Sequence, residues 1–294
     1  MFGAGALISI GVLVAACGSS GTSGTATSPS GVPSQAAVGS IAAQVPASIK
    51  AQGTVTVAAD ATYAPNEFIA PDGHTVIGMD ADMAKALGQV LGLKVALQNA
   101  TFDTIIPGLA SGKYSLGMSS FTDTKERQNT VDFVTYLVAG TSFYIKSGGP
   151  AVTSLADLCG KTVAVEKGTT QQSDAQAQTS KCTSQGKPAV TIQVYNDQNA
   201  VNLALSSGRA GVAMADSPVA AYQVKLSNGT FKLAGAPYNS APYGIAIPKN
   251  NGMAKPVLAA VKHLMANGTY MKILTKWGVQ QGAITNPQIN GATS

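Results

Sequence analysis

At 294 residues and 29.6 kDa, with 45% apolar residues against 11% charged, the chain can fill a sizeable core but is no coiled coil or disordered polyelectrolyte. Its net charge of +5 comes without a dense basic run or interleaved aromatics, which argues against a nucleic-acid groove. Two histidines and three cysteines leave little for a zinc centre or a His-based triad, so no metal, no cofactor and no catalytic residue is expected.

In chain order, the first feature is an unbroken apolar run from Phe2 to Ala16. About 15 residues fall short of the roughly 20 that cross a bilayer but suit the core of a signal peptide. The run ends in Leu13-Val-Ala-Ala-Cys17-Gly18, which resembles a bacterial lipoprotein signal, although no Lys or Arg precedes it. That resemblance implies a signal peptide over residues 1–16 and a lipidated Cys17 holding an exported chain at the outer face of the cell membrane. Residues 17–52 are rich in Gly, Ser, Thr, Ala and Pro and contain no charge before Lys50, so they read as a flexible tether. Export also suits Cys159 and Cys182, which lie in one predicted unit and are expected to form a structural disulfide.

From Thr54 onward, short β runs alternate with amphipathic stretches. Thr54–Ala59 reads as a buried strand, and Asp80–Leu91 carries Met83, Ala84, Leu87, Val90 and Leu91 at helical spacing. Strands follow at Lys94–Leu97 and Tyr114–Met118, with a helix at Phe102–Ala110 between them. The grammar resumes with strands at Lys161–Val165, Thr191–Val194 and Gly211–Ala215, and helices at Thr170–Thr179, Gln198–Ser206 and Ser217–Leu226. Two such series predict an α/β protein of two lobes, each a mainly parallel sheet flanked by helices.

Ligands of such sheets sit beyond the carboxyl ends of the strands. The residues directly following the predicted strands are Asp60 and Tyr63; Ser119, Ser120 and Thr122, with Arg127 a turn further on; Glu166, Thr169, Thr170 and Gln171; and Asp216. An arginine grips a carboxylate bidentately, and the free amides of a helix start favour the same anion. An aspartate beside hydroxyls suits an ammonium group. Together they ask for a small zwitterion.

The segments Tyr63-Ala-Pro-Asn-Glu-Phe68, Gly78-Met-Asp-Ala-Asp82-Met, Ser119-Ser-Phe-Thr-Asp-Thr-Lys-Glu-Arg127, Lys167-Gly-Thr-Thr-Gln171 and Met214-Ala-Asp216 resemble, in this order, the family 3 extracellular solute-binding proteins. These are amino-acid receptors of bacterial ABC importers. The resemblance runs from about Gly53 to Val279 and implies two lobes hinged by two crossing strands, placed near Thr141–Ile145 and Pro242–Ile247. Residues 53–140 and 243–281 would form lobe 1, residues 141–242 lobe 2, and residues 282–294 a tail. By the same resemblance, Arg127 clamps the ligand's carboxylate with help from Thr122 and Thr170, while Asp216, Ser120 and Thr122 hold its ammonium. Tyr63 and Phe102 stack on the side chain; Asp60, Ser119 and Gln171 line the cleft. Glu166 departs from the commoner apolar residue and, with Asp60, tilts the expected polar ligand towards a cationic side chain such as that of arginine or lysine, with glutamine or another polar amino acid as the alternative. The resemblance implies a monomer that docks on a membrane permease and performs no chemistry. Two alternatives are a cyclohexadienyl or arogenate dehydratase using Glu166 as its acid, and a ligand-sensing receptor module.

Overall fold

The structure is a computed structural model, and it describes residues 1–2 and 31–292. The lipidation expectation at Cys17 and nearly all of the expected signal peptide lie outside the described residues. The chain runs through α1 (Gly39–Ala42), α2 (Ala47–Gln52), β1 (Thr54–Ala59), β2 (Thr62–Tyr63), β3 (Glu67–Ile69), β4 (Val76–Ile77), α3 (Met79–Leu91), β5 (Lys94–Asn99), α4 (Phe102–Ala110) and β6 (Leu116–Gly117). It continues with β7 (Val131–Lys146), β8 (Thr162–Glu166), α5 (Thr170–Ser184), β9 (Thr191–Tyr195), α6 (Gln198–Ser206), β10 (Val212–Asp216), α7 (Ser217–Leu226), β11 (Phe231–Pro248), α8 (Ala254–Ala266) and α9 (Thr269–Trp277).

Eight strands form one sheet in the order β5-β1-β6-β11-β7-β10-β8-β9, and β2-β3-β4 form a small antiparallel one. The outer strands pair in parallel on both flanks: β1 with β5 and β6, and β8 with β10 and β9. β5, β8, β9 and β10 lead directly into helices, whereas β1 reaches α3 through the small sheet and β6 leads to β7. The centre is different. The long strands β7 and β11 run antiparallel along almost their whole length and join the two parallel flanks into a pair of lobes.

Their shared ladder is irregular between Ala234, Tyr238 and Ala241. On one side, Val131–Val138 pairs with Pro242–Pro248 beside β6; on the other, Thr141–Tyr144 pairs with Asp216–Ala213 of β10. The expected crossing at Thr141–Ile145 therefore belongs to the second lobe's sheet, because that ladder commits its backbone there. The register breaks place the crossing a few residues earlier, opposite Tyr238–Ala241.

Two expectations at the chain ends need correction. Residues 31–52, expected as tether, pack on lobe 1: Val32, Ile41 and Val45 are buried in one core with α3, α8 and α9. Ile41 lies in α1 and Val45 in the bend that follows it, and the small polar residues around them hide both in the sequence. The Val38 amide donates to the Val90 carbonyl at 3.0 Å, and the Gln35 side-chain amide to Thr269 Oγ1 at 3.1 Å. The expected tail also packs, with Ala283 and Ile289 bridging to Leu137 and Val134 of β7.

Other cores fill the centre and lobe 2, and the central one draws on both lobes: Phe102, Phe121 and Phe133 meet Ala164, Val201 and Ala213. The sulfurs of Cys159 and Cys182 lie 2.01 Å apart, joining the turn before β8 to the last turn of α5.

Candidate functional site

The carboxyl ends of β1, β6, β8 and β10 converge on a small cavity of about 20 Å³ between the lobes. Its lining includes Tyr63, Phe102, Ser120, Thr122 and Arg127 from lobe 1, and Thr170, Gln171 and Asp216 from lobe 2. Eight of the eleven residues expected at the site therefore share one space.

Arg127 opens a short 3-10 turn, and its guanidinium is held flat by aromatic neighbours. Its central carbon lies 5.2 Å from the centre of the Phe102 ring and 5.6 Å from that of Phe121. Those two rings stack at 4.6 Å, so the cation has a rigid apolar bed. The guanidinium donates to the Thr122 carbonyl and, across the cleft, to the Gly168 carbonyl, each at 2.9 Å. Burial lowers the Arg127 pKa, opposed chiefly by the charge of Asp216.

Asp216 ends β10 and occupies the N-cap position of α7, yet its side chain makes no capping bond. It turns to the cleft instead. One oxygen accepts from the Gln171 amide at 2.7 Å and the other from the Tyr243 hydroxyl at 2.6 Å. Burial raises its pKa, and the two hydrogen bonds and Arg127 oppose that rise. Between the two charged groups sits the start of α5, where Thr169 caps the helix by accepting from the Gln172 amide. That leaves the positive end of the helix facing the cavity at Thr170 and Gln171.

The turn before α5 also brings the lobes together. Gly168 has φ +77°, and a Cβ there would come within 3.0 Å of the Asp103 Cβ on α4, so the close approach needs glycine. Beside it, Lys167 pairs with Asp103 at 2.8 Å, and the Gln198 amide donates to Thr62 Oγ1 at 3.1 Å.

Three expected residues do not line the cavity. Ser119 is fully buried, and its hydroxyl accepts from the Asp60 amide at 2.8 Å, so it braces the end of β1. Asp60 takes the Thr62 hydroxyl at 2.6 Å and the Phe102 amide at 3.0 Å, fixing the start of α4. Glu166 lies deeper, close to Asp60 and Tyr63. Both of its carboxylate oxygens and the Tyr63 hydroxyl are buried, with one another and Asp60 as polar neighbours and no well-formed hydrogen bond among the described residues. Desolvation, with the Asp60 charge next, pushes the Glu166 carboxyl up to about 10, and burial raises Asp60 as well.

Ser120 is held from behind. It has φ +52°, its amide donates to Asp80 at 3.0 Å, and its hydroxyl to Glu67 at 3.2 Å. Asp80 also accepts from the Tyr136 hydroxyl at 2.7 Å, while Asp82 clamps α9 through Lys276 and the Trp277 indole. The Gly78–Met83 motif thus supports the site without entering it.

Sequence reasoning missed Gln198, Val219 and Tyr243. Gln198 opens α6 directly after β9, so the rule that found the other residues reaches it too. Tyr243 comes from the crossing strand β11 and carries no such signal. Among the described residues, no group of three or more His, Cys, Asp or Glu could hold a metal, and no helix is long and apolar enough to cross a membrane.

The family model of the bacterial extracellular solute-binding proteins, family 3, matches residues 55–280. An arginine-binding protein of Corynebacterium glutamicum is 33% identical over 251 residues, covering 85% of this chain and 82% of that protein. Two solved structures of an ancestral arginine-binding protein also match. The one bound to arginine is 34% identical with a TM-score of 0.71, over 76% of this chain and 98% of its own. The one bound to glutamine is 33% identical with a TM-score of 0.72, over 77% and 98%. The chain belongs to the family 3 extracellular solute-binding proteins.

Proposed function

We propose that this family member is the amino-acid receptor of an ABC importer and that its ligand is L-arginine. The observation that carries the choice of ligand is Glu166: two buried carboxylate oxygens without a well-formed hydrogen bond, behind Tyr63 and beside Asp60. A buried acid pair is stable only when neutralised, by a proton or by a cation. A guanidinium supplies the cation together with a planar set of donors that matches two carboxylates. With the α-carboxylate on Arg127 and the first turn of α5, and the α-ammonium on Asp216, the three-carbon shaft lies between Phe102 and Tyr63. Its far end then points towards Tyr63, behind which Glu166 and Asp60 are buried. The arginine-bound ancestral structure and the C. glutamicum relative support this reading.

Ligand groups from both lobes make closure a matter of differential contact, since each lobe alone offers half the partners. The closed form presents a surface to a permease, and transport energy comes from a separate ATPase. An exported chain, anchored through a lipidated Cys17 and stapled at Cys159–Cys182, is the setting we infer. The dehydratase alternative draws on the same proton of Glu166 as an acid, and turnover of arogenate to phenylalanine would replace the receptor reading.

Titration calorimetry with the twenty amino acids tests the proposal. Arginine should bind one to one, lysine more weakly, and neutral amino acids at least tenfold more weakly still. A panel in which glutamine outranks arginine would overturn the assignment. Arg127→Ala should remove arginine binding while the far-UV spectrum stays unchanged; retained affinity would show the carboxylate is held elsewhere.

A further inference from the structure

Beyond Asp216 the cleft does not end. A groove of about 280 Å³ continues on the hinge side and shares Thr122, Thr170 and Asp216 with the cavity already described. Its far wall is built by the two crossing strands, Ala139–Thr141 of β7 and Asn239–Ala241 of β11, and by Asp174 of α5. Small side chains keep it open. At Gly140 even a methyl group would come within 2.8 Å of the Tyr238 carbonyl and 3.0 Å of Ser240 Oγ.

The chemistry of this lining is one-sided. Thr124, Thr141, Ser240 and Asn239 offer hydroxyls and an amide, and Asp174 and Asp216 are the charged groups; no Lys or Arg takes part. Asp174 is half-buried and accepts from the Tyr238 hydroxyl at 3.0 Å, and the Tyr238 ring is stacked on Phe143 at 5.1 Å. It stands four residues after Thr170, one helical turn along the same face, a reach of about 6 Å.

The groove begins where the ligand's α-nitrogen sits, so it can take what that nitrogen carries. The substituent should leave the nitrogen cationic, because an ammonium adds an ion pair with the half-buried Asp216 that a neutral amide nitrogen cannot supply. An acyl group or a preceding peptide residue fails that condition. A second carboxylate would face two acids without a compensating cation. Hydroxyl groups, which both donate and accept, match the threonines, Ser240, Asn239 and Asp174.

We propose that this groove binds the α-nitrogen substituent of N-alkylated amino acids, and that the substituent is an uncharged polyol, as in a hexose joined to arginine through a secondary amine. The inference rests on the arginine reading above and extends the same site.

Calorimetry with arginine, Nα-(1-deoxyfructosyl)-arginine, Nα-acetylarginine and glycyl-arginine tests it. The fructosyl compound should bind within tenfold of arginine, and the two amides more than a hundredfold more weakly. Ser240→Trp, at an exposed position outside the arginine contacts, should weaken the fructosyl compound at least thirtyfold and change arginine less than twofold. Arginine binding with the fructosyl compound more than a hundredfold weaker would overturn the groove assignment alone. So would glycyl-arginine matching arginine, or Ser240→Trp weakening both ligands equally. No binding of either arginine or its conjugate would overturn the arginine reading and this inference together.

Discussion

Glu166 is the residue whose environment most constrains what the molecule can do. In an unfolded chain it ionises near 4.5, but in the folded protein its carboxyl is pushed up to about 10, mainly by desolvation and then by Asp60. Between those values the folded state holds a proton that the unfolded state has lost, so stability falls as pH rises, by at most about 1.4 kcal/mol per pH unit from this group. Glu166→Gln should therefore raise the melting temperature of the ligand-free protein at pH 8 and flatten its decline between pH 6 and 9. An unchanged slope would mean that Glu166 is ionised in the folded protein. The same proton must leave when a guanidinium arrives, so wild-type arginine affinity should tighten with pH over that range, by up to tenfold per unit for one proton. Calorimetry in buffers of differing ionisation enthalpy reads the released proton directly. In Glu166→Gln both the release and the pH dependence should vanish, with arginine weakened about 10–100-fold, the cost of one charge-assisted hydrogen bond.

Helix α5 shows how one element serves both stability and binding. Its capped first turn aims at the cavity, while Cys182 in its last turn stands at disulfide distance from Cys159 ahead of β8, the staple proposed above. A link closing a 23-residue separation contributes about 3 kcal/mol. The double variant Cys159→Ala/Cys182→Ala should melt about 5–10 °C lower, yet keep its arginine affinity within threefold, because the link lies at the end of the helix away from the site. A loss of binding at temperatures where the variant remains folded would show that the link positions the first turn. Helices were the most legible elements in the sequence: the bounds read for α4, α6 and α7 coincide with those observed, because polar turns flank an apolar period on both sides. The long crossing strands were read only as β-rich fragments, since Gly140, Gly235 and Asn239 interrupt their pattern where the ladder breaks. Depth was the other hidden quantity. The rule that ligands lie past strand ends selects Ser119 and Asp60 as readily as Ser120 and Thr122. Backbone alternation and the capping of α4 then turn the first two inward. The packing of residues 31–52 depends on α3 and α8, partners distant in sequence, so composition alone suggested a tether.

At the scale of the whole molecule, the lobes share an apolar core, and polar contacts join them around the cleft: Arg127 to the Gly168 carbonyl, Lys167 to Asp103, Gln198 to Thr62 and Tyr243 to Asp216. The Lys167 side chain is more than half exposed, and exposed pairs contribute little. The exposed polar contacts add little to that shared core, and a ligand favours closure through groups that touch both lobes. In the proposed pose the α-carboxylate is that group, with Arg127 on one side and the start of α5 on the other. Agmatine keeps the guanidinium and the shaft of arginine but lacks that carboxylate. It should therefore bind more than a hundredfold more weakly than arginine and, even at saturation, leave the radius of gyration in small-angle scattering at its ligand-free value. Arginine should contract it. Equal contraction by both compounds would show that the guanidinium end, through Glu166 and Asp60, is sufficient to draw the lobes together, and the task of closing the cleft would pass from Arg127 to the acid pair.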